Sequence, residues 1–525
     1  MWSLSLLCLL LTLAGGVRLR ASAAARQSQS APTGTWTVYH GDPQGDGTAA
    51  SVTSVNLSTR AWTSPTLDGQ IYGEPLAWGD HVYVASENDT VYELSAATGR
   101  VVWSAHLGTP VPASALPCGD ISPTVGITGT PVVDTARSEV FVVADELVGQ
   151  HPAHDLVGLD ASTGKVELSQ DVDPPGSTPP ALLQRTGLAL DAGRVVFGFG
   201  GNFGDCSTYH GWVVSVPDAG GAVEDYAVDS GAGQSQGAIW MGGAAPVVDS
   251  SGNIWVEAGN GSVTSPGASY DHSDSVLELS PALALLQYFA PASWASENAR
   301  DLDLSTTPAL LDDGEVVAAG KDSDAYLLDG AHLGGIGGEQ TAMPRVCSQE
   351  IDGGAAIVGT TVYLPCLSGP VAVQVSSNPA GLRVLWSATS GGGPPIVAAG
   401  LVWSIGQNGT LYGISATTGA VVERASIGSP ANHFPTPAVG SGVLLAAAAT
   451  DVVAFHLDTN SAAAGTTTSS APATSTTARA ASPKPQASTG GLPAGVIVAI
   501  ALGGLAVAVG AVWFWRRARR RGVVS

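Results

Sequence analysis

The residues able to do chemistry crowd into one stretch of this chain, between positions 201 and 303. "GDCSTYHGWVV" (204–214) sets Asp205, Tyr209, His210 and Trp212 close together, and "GAIWMGGAAPVVDSSGNIWVEAGNG" (237–261) carries Trp240 and Asn260. "NARDLDLSTTPALL" (298–311) adds Asp301 and Asp303. Carboxylates and amide oxygens suit a hard cation, and a carboxylate beside a substrate hydroxyl is a general base. Tyrosine, histidine and tryptophan beside a glycine suit a pocket rim. Each residue also has a structural reading. Asn260 precedes a glycine, a strong hairpin signal. Trp240 reads equally as packing, His210 as a hydrogen-bonded structural histidine, and the two aspartates as ties to backbone N–H groups of neighbouring elements.

Other matches carry less. "GQSQG" (233–237) fits G-x-S-x-G literally, but a hydrolase elbow needs a strand, a turn and a helix, and this stretch enters a Gly-rich strand pattern. His151 and His154 supply two metal ligands, too few for a site. The chain has no C-x-x-C and no C-x-x-C-H, which excludes a zinc ribbon, a thioredoxin-type pair and covalent haem. Asn88 and Asn408 begin glycosylation-type sequons, but they fall at equivalent repeat turns.

What must position these residues is a repeat. "VYVASENDTVYELSAATGRVVW" (82–103) returns as "LVWSIGQNGTLYGISATTGAVVE" (401–423), with a middle copy at 139–167. Each copy alternates apolar and polar residues, turns, alternates again, passes an Ala/Ser-Thr-Gly turn and enters a third strand. Period-two patterning means β-strands, and a spacing of roughly 40–50 residues means a propeller or solenoid. Repeat cores fall at 73–103, 129–172, 187–228, 243–288, 306–333, 353–386 and 394–425. An incomplete set follows at 436–457, lacking a closing strand, and 57–66 looks like that strand. The expected fold is therefore all-β: an eight-bladed propeller over 33–458, with seven blades as the alternative, closed by an N-terminal strand so that no sheet edge stays open.

The ends give an address. An apolar run from Leu4 precedes Ala21-Ser22-Ala23, so residues 1–24 read as a secretory signal. Residues 492–515 form an uncharged apolar run long enough to span a bilayer as one helix, and 516–525 hold five arginines, which favour the cytosol. The Ser/Thr/Ala/Pro-rich 459–491 cannot bury a core and reads as a stalk. The expectation is a single-pass cell-membrane protein with its propeller outside.

Charge agrees. The 21 basic residues, less Arg18 and Arg20 in the leader and the five tail arginines, leave 14 against 44 acids, a net charge of about −30. So acidic a head excludes nucleic acid and anionic lipid surfaces as partners. Four cysteines remain after the leader: Cys118, Cys206, Cys347 and Cys366. An even count in an exported chain favours disulfides, with three connectivities open; Cys347–Cys366 is the natural local pair, leaving Cys118–Cys206.

On these repeats, and on the opening "WTVYHGDPQGDGTA" (36–49), the chain resembles the quinoprotein-like, PQQ-repeat β-propellers. That family includes PQQ-dependent alcohol dehydrogenases and non-catalytic propellers such as the assembly lipoprotein BamB. The dehydrogenases hold PQQ between a tryptophan floor and a disulfide of adjacent cysteines, beside a calcium ion bound by a carboxylate and an asparagine. The resemblance implies Trp240 as floor, Asn260 and Asp205 as calcium ligands, and Asp303 or Asp301 as base; His210 and Trp212 would line the cofactor site. It also meets departures: no two cysteines are adjacent, and no haem site accepts electrons. The leading expectation is thus a funnel that binds a small molecule or cell-envelope ligand without turnover. A PQQ- and calcium-dependent alcohol or polyol oxidoreductase is the alternative, and a scaffold for protein partners the third.

Overall fold

Alternating Val, Leu, Ile and aromatic residues give strands whose two faces can both be buried when sheets stack around an axis. The computed structural model describes residues 35–459 and places eight such sheets in sequence, an eight-bladed propeller. They span 76–106, 132–171, 182–227, 247–290, 309–343, 356–387, 396–426 and 438–459, and are numbered first to eighth below. Within each, successive strands pair antiparallel from the innermost outward. The expected signal, stalk, membrane span and tail lie outside the described residues. Among those described, no helix is long and apolar enough to cross a membrane. The one described α-helix is Trp294–Asn298.

The eighth sheet takes its outer strand from the other end of the chain. Val52–Thr63 pairs antiparallel with Asp451–Thr459, somewhat earlier than the 57–66 segment singled out by pattern. Three bulges in that ladder absorb the irregular register. The shift has a simple cause: the segment's polar residues alternate weakly, so pattern alone marks its register poorly.

The repeated Ala-x-x-Gly turn has a mechanical role. Trp103, on the outer strand of the first sheet, donates its indole N–H to Ala161 O of the second sheet at 3.1 Å. The indole lies against Gly164 (φ +68°), where any β-carbon would collide with the ring. Trp62 makes the same latch onto Ala96 and Gly99, and Trp386 onto Ala416 and Gly419. Each latch buries an aromatic side chain and satisfies its polar atom, joining one sheet to the next. The Trp and Gly of the sequence repeat are thus two halves of a contact between neighbouring blades.

Antiparallel pairing also sorts the loops. The hairpins between second and third strands lie at the same end as the connections from one sheet to the next. That end carries the long segments 107–131, 202–211, 228–246, 259–274 and 291–308, hence every candidate residue but Trp212, which opens the strand 212–217. Both disulfides lie there as well: Cys118–Cys206 joins the 107–131 connection to the 202–211 hairpin, and Cys347–Cys366 staples the entry of the sixth sheet.

Candidate functional site at the long-loop end

Asp303 is set by two buried carboxylates of the fourth sheet and its hairpin, which hold the backbone just after it. Asp274 accepts the Leu304 N–H at 2.8 Å, and Glu257 accepts the Thr306 N–H at 2.6 Å and its hydroxyl at 3.0 Å. Asp303 O accepts the Lys321 N–H at 2.9 Å, and Gly320 has no room for a β-carbon against that carbonyl. The fourth and fifth sheets therefore clamp the aspartate between them. Its carboxylate is fully buried, and Lys321 Nζ stands 2.7 Å from Oδ1. Oδ2 has no hydrogen-bond partner among the described residues. Lys321 also lies 2.9 Å from Asp301 Oδ1, an exposed carboxylate.

Electrostatics follow from burial. Burial holds the Asp303 carboxyl above its ordinary range, while the Lys321 ammonium pulls it back. Burial works against the charge on Lys321, yet Asp303 and Asp301 outweigh it and keep the ammonium protonated. Asp352, also buried, is pushed up to about 7 despite Lys321. Glu257 is pushed up to about 8 by burial, against its hydrogen bonds from Thr306. Asp205 is raised by burial, eased by the Tyr209 hydroxyl that donates to its Oδ1 at 2.6 Å, and it feels Asp301, Lys321 and Asp303. One ammonium thus sits among four carboxylates, a group able to accept hydroxyl protons and donate to oxygen.

Of the residues expected from sequence, Asp205, Asp301 and Asp303 come together around Lys321. Asn260 is buried next to Gly259, which crowds Asp303 Oδ2; its carbonyl accepts the Gly237 N–H at 2.9 Å. His210 goes elsewhere: its Nδ1 is 2.8 Å from the buried Asp229. Trp212 belongs to the core of the third sheet, with His210 edge-on at 6.1 Å. Trp240 is half-buried, packed against the cluster of Val111, Leu116, Ile121, Val125 and Leu183. His154 is buried between Asp173 (2.7 Å) and Asp145 (3.8 Å).

Two residues escaped the sequence reading. Lys321, in "AGKDSDAY", follows a strand in an otherwise ordinary hairpin. Arg185, in "LLQRTGLAL", is an arginine within an apolar run of an acid-rich chain, and that composition contrast was a usable signal. A cavity of about 190 Å³ lined by Asp42, Asp46 and Asp312 lies at the opposite end, among the hairpins between first and second strands.

Residues 48–275 match the family model described as outer membrane protein assembly factor BamB. No curated protein matches the chain in sequence. Among solved structures, quinohemoprotein alcohol dehydrogenase from Comamonas testosteroni superposes with a TM-score of 0.60 at 14% identity, over 83% of this chain and 81% of that one. A europium-containing methanol dehydrogenase gives 0.57 at 14% identity over 79% and 89%. BamB from Moraxella catarrhalis gives 0.51 at 16% identity over 76% and 99%. The fold is that of an eight-bladed β-propeller, and residues 48–275 carry the repeat pattern of that family model. At such identities the superpositions speak for the fold alone.

The resemblance implies PQQ and calcium, with Trp240, Asn260, Asp205 and Asp303 or Asp301 as the residues that would hold them. Among the described residues no three His, Cys, Asp or Glu side chains converge to hold a metal. Trp240 keeps part of its indole exposed while aliphatic side chains of the 107–131 connection pack against the rest. The cysteine that joins this connection to the 202–211 hairpin pairs across 88 residues, so no adjacent-cysteine lid forms.

Proposed function

We propose that the chain is a ligand-binding propeller, taking a small polyhydroxylated molecule of the cell envelope at the Asp303–Lys321 group without turnover. The observation that carries this is Asp303, a buried carboxylate whose Oδ1 is paired to one ammonium and whose Oδ2 has no hydrogen-bond partner among the described residues. A buried acceptor of this kind is costly unless a donor arrives, and ligand hydroxyls are such donors. Lys321 offers N–H donors to the same ligand's oxygens, and the half-buried Trp240 offers an apolar surface for its C–H face. The reading includes the address expected from sequence: an exported ring closed by the 52–63 strand, carried on the 459–491 stalk and anchored by 492–515, with 516–525 in the cytosol.

The test is thermal-shift and calorimetric screening of neutral sugars and polyols on the full-length protein, beside a dye-reduction assay after loading with PQQ and calcium. Polyol binding that weakens about tenfold in Asp303→Asn and Trp240→Ala supports the proposal. PQQ-dependent dye reduction lost in Asp303→Ala would establish the oxidoreductase instead. The BamB match favours a second reading, an envelope scaffold, which predicts neither result but a specific protein partner on pull-down.

A further inference from the structure

We propose that Arg185 anchors a second binding site, one for a carboxylate-bearing small molecule, between the rings of Tyr72 and Phe434. Arg185 is 6% exposed, and among the described residues no hydrogen bond or ion pair reaches its guanidinium. Its Cζ stands 5.7 Å from the Tyr72 ring centroid and 5.9 Å from that of Phe434. Aromatic faces ease the burial of the charge but accept none of its five N–H donors in a hydrogen bond. In a protein this rich in acids, a buried arginine would ordinarily have a carboxylate partner.

The surroundings hold the fork in place. Leu188 N–H bonds Thr130 O at 2.9 Å and Gly187 N–H bonds Gly243 O at 3.1 Å, fixing the backbone just after Arg185. Gly243, at φ +88°, leaves the space that Nη1 fills, since any β-carbon there would collide with it. Asn432 ties together the backbones that carry the two rings, donating from Nδ2 to Tyr72 O at 2.6 Å and accepting the Phe434 N–H at 2.9 Å. Connections from four places in the ring thus converge on one guanidinium. Tyr72 and Trp240 flank the same apolar cluster, which gives the ligand's non-polar body a wall.

The nearest acids leave the fork open. Glu87 spends Oε2 on the Gly126 N–H (2.9 Å) and the Thr128 hydroxyl (3.1 Å), with no ion pair to Arg185. Its charge and that of Asp120 are felt at Arg185, so the space repels a dianion more than a monoanion. A planar carboxylate matches the fork with two parallel bonds and one negative charge. Phosphate matches the donors and carries more charge than this site accepts.

The inference goes beyond the polyol reading, and neutral polyols and carboxylates test the two separately. Calorimetry on the full-length protein would use sodium benzoate, benzyl alcohol and inorganic phosphate as probes. Benzoate is expected to bind, with benzyl alcohol and phosphate about tenfold weaker or silent. Arg185→Gln should abolish benzoate binding, Arg185→Lys should weaken it about tenfold, and Phe434→Leu about threefold with the cation kept. Equal affinity for benzoate and benzyl alcohol, tighter phosphate than benzoate, or no benzoate heat in the parent protein overturns the assignment. Should Arg185→Gln not fold, Arg185→Lys decides: benzoate affinity unchanged from the parent also overturns it.

Discussion

Lys321 Nζ lies between two carboxylates of opposite exposure, 2.7 Å from the buried Asp303 Oδ1 and 2.9 Å from Asp301 Oδ1, whose side chain is 67% exposed. The same ammonium is therefore worth different amounts to each. Lys321→Met leaves Asp303 as a buried charge without its cation, and a loss of about 3–5 kcal/mol is expected. Asp301→Asn removes a solvent-screened partner and should cost about 1 kcal/mol or less. Urea unfolding of the two variants checks the contrast; equal costs would mean that Asp303 is not held by the ion pair.

The buried acids give the fold an unusual pH response. Glu257 titrates near 4.5 in an ordinary setting and near 8 in the native protein. Between those values the native state keeps a proton that the unfolded chain has released, so stability falls as pH rises through this window. Asp352, raised to about 7, acts in the same direction. The urea midpoint should be higher at pH 5 than at pH 8, and Glu257→Gln should flatten the difference. A midpoint that rises over this range in the parent protein contradicts the account.

Removing Cys118–Cys206 should both destabilise and loosen. The bridge spans 88 residues, and its loss in Cys118→Ser with Cys206→Ser is expected to cost about 2–4 kcal/mol. Limited proteolysis should then cut first within 107–131, which the bridge ties to the 202–211 hairpin. Cleavage elsewhere first would show that this connection is held by its apolar cluster alone.

The tryptophan latches predict coupling across blades. Trp103→Ala should cost about 3 kcal/mol, and Gly164→Val a comparable amount because it needs φ +68° and the space of the indole. The double variant should lose about 1 kcal/mol or more less than the sum, since each change removes the same contact. Strict additivity, measured by denaturant unfolding, would deny the latch.

Much of the architecture was legible because a blade is a local object. Period-two strands, the Ala-x-x-Gly turn and the repeat spacing lie within some forty consecutive residues, and the eight-bladed count follows from repeating them. The outer strand 52–63 was legible as a strand but not in register, because its polar residues alternate weakly and its partner lies some 390 residues away. Asp205, Asp301 and Asp303 were visible as a polar group on long loops. His210 and Trp212 were equally conspicuous, and the fold uses them to pair with Asp229 and to fill the third sheet.

By itself, then, the residue order determined which stretches are blades, which loops are long and where cysteines, tryptophans and acids recur, all of them matters of short-range pattern. Only the packing of the sheets around the ring decided that Lys321 meets Asp303, that the 107–131 connection packs against Trp240, and that Tyr72, Arg185, Gly243 and Phe434 share one spot. Those meetings depend on how far each blade is rotated about a common axis, a quantity summed over the whole ring and written in no single repeat.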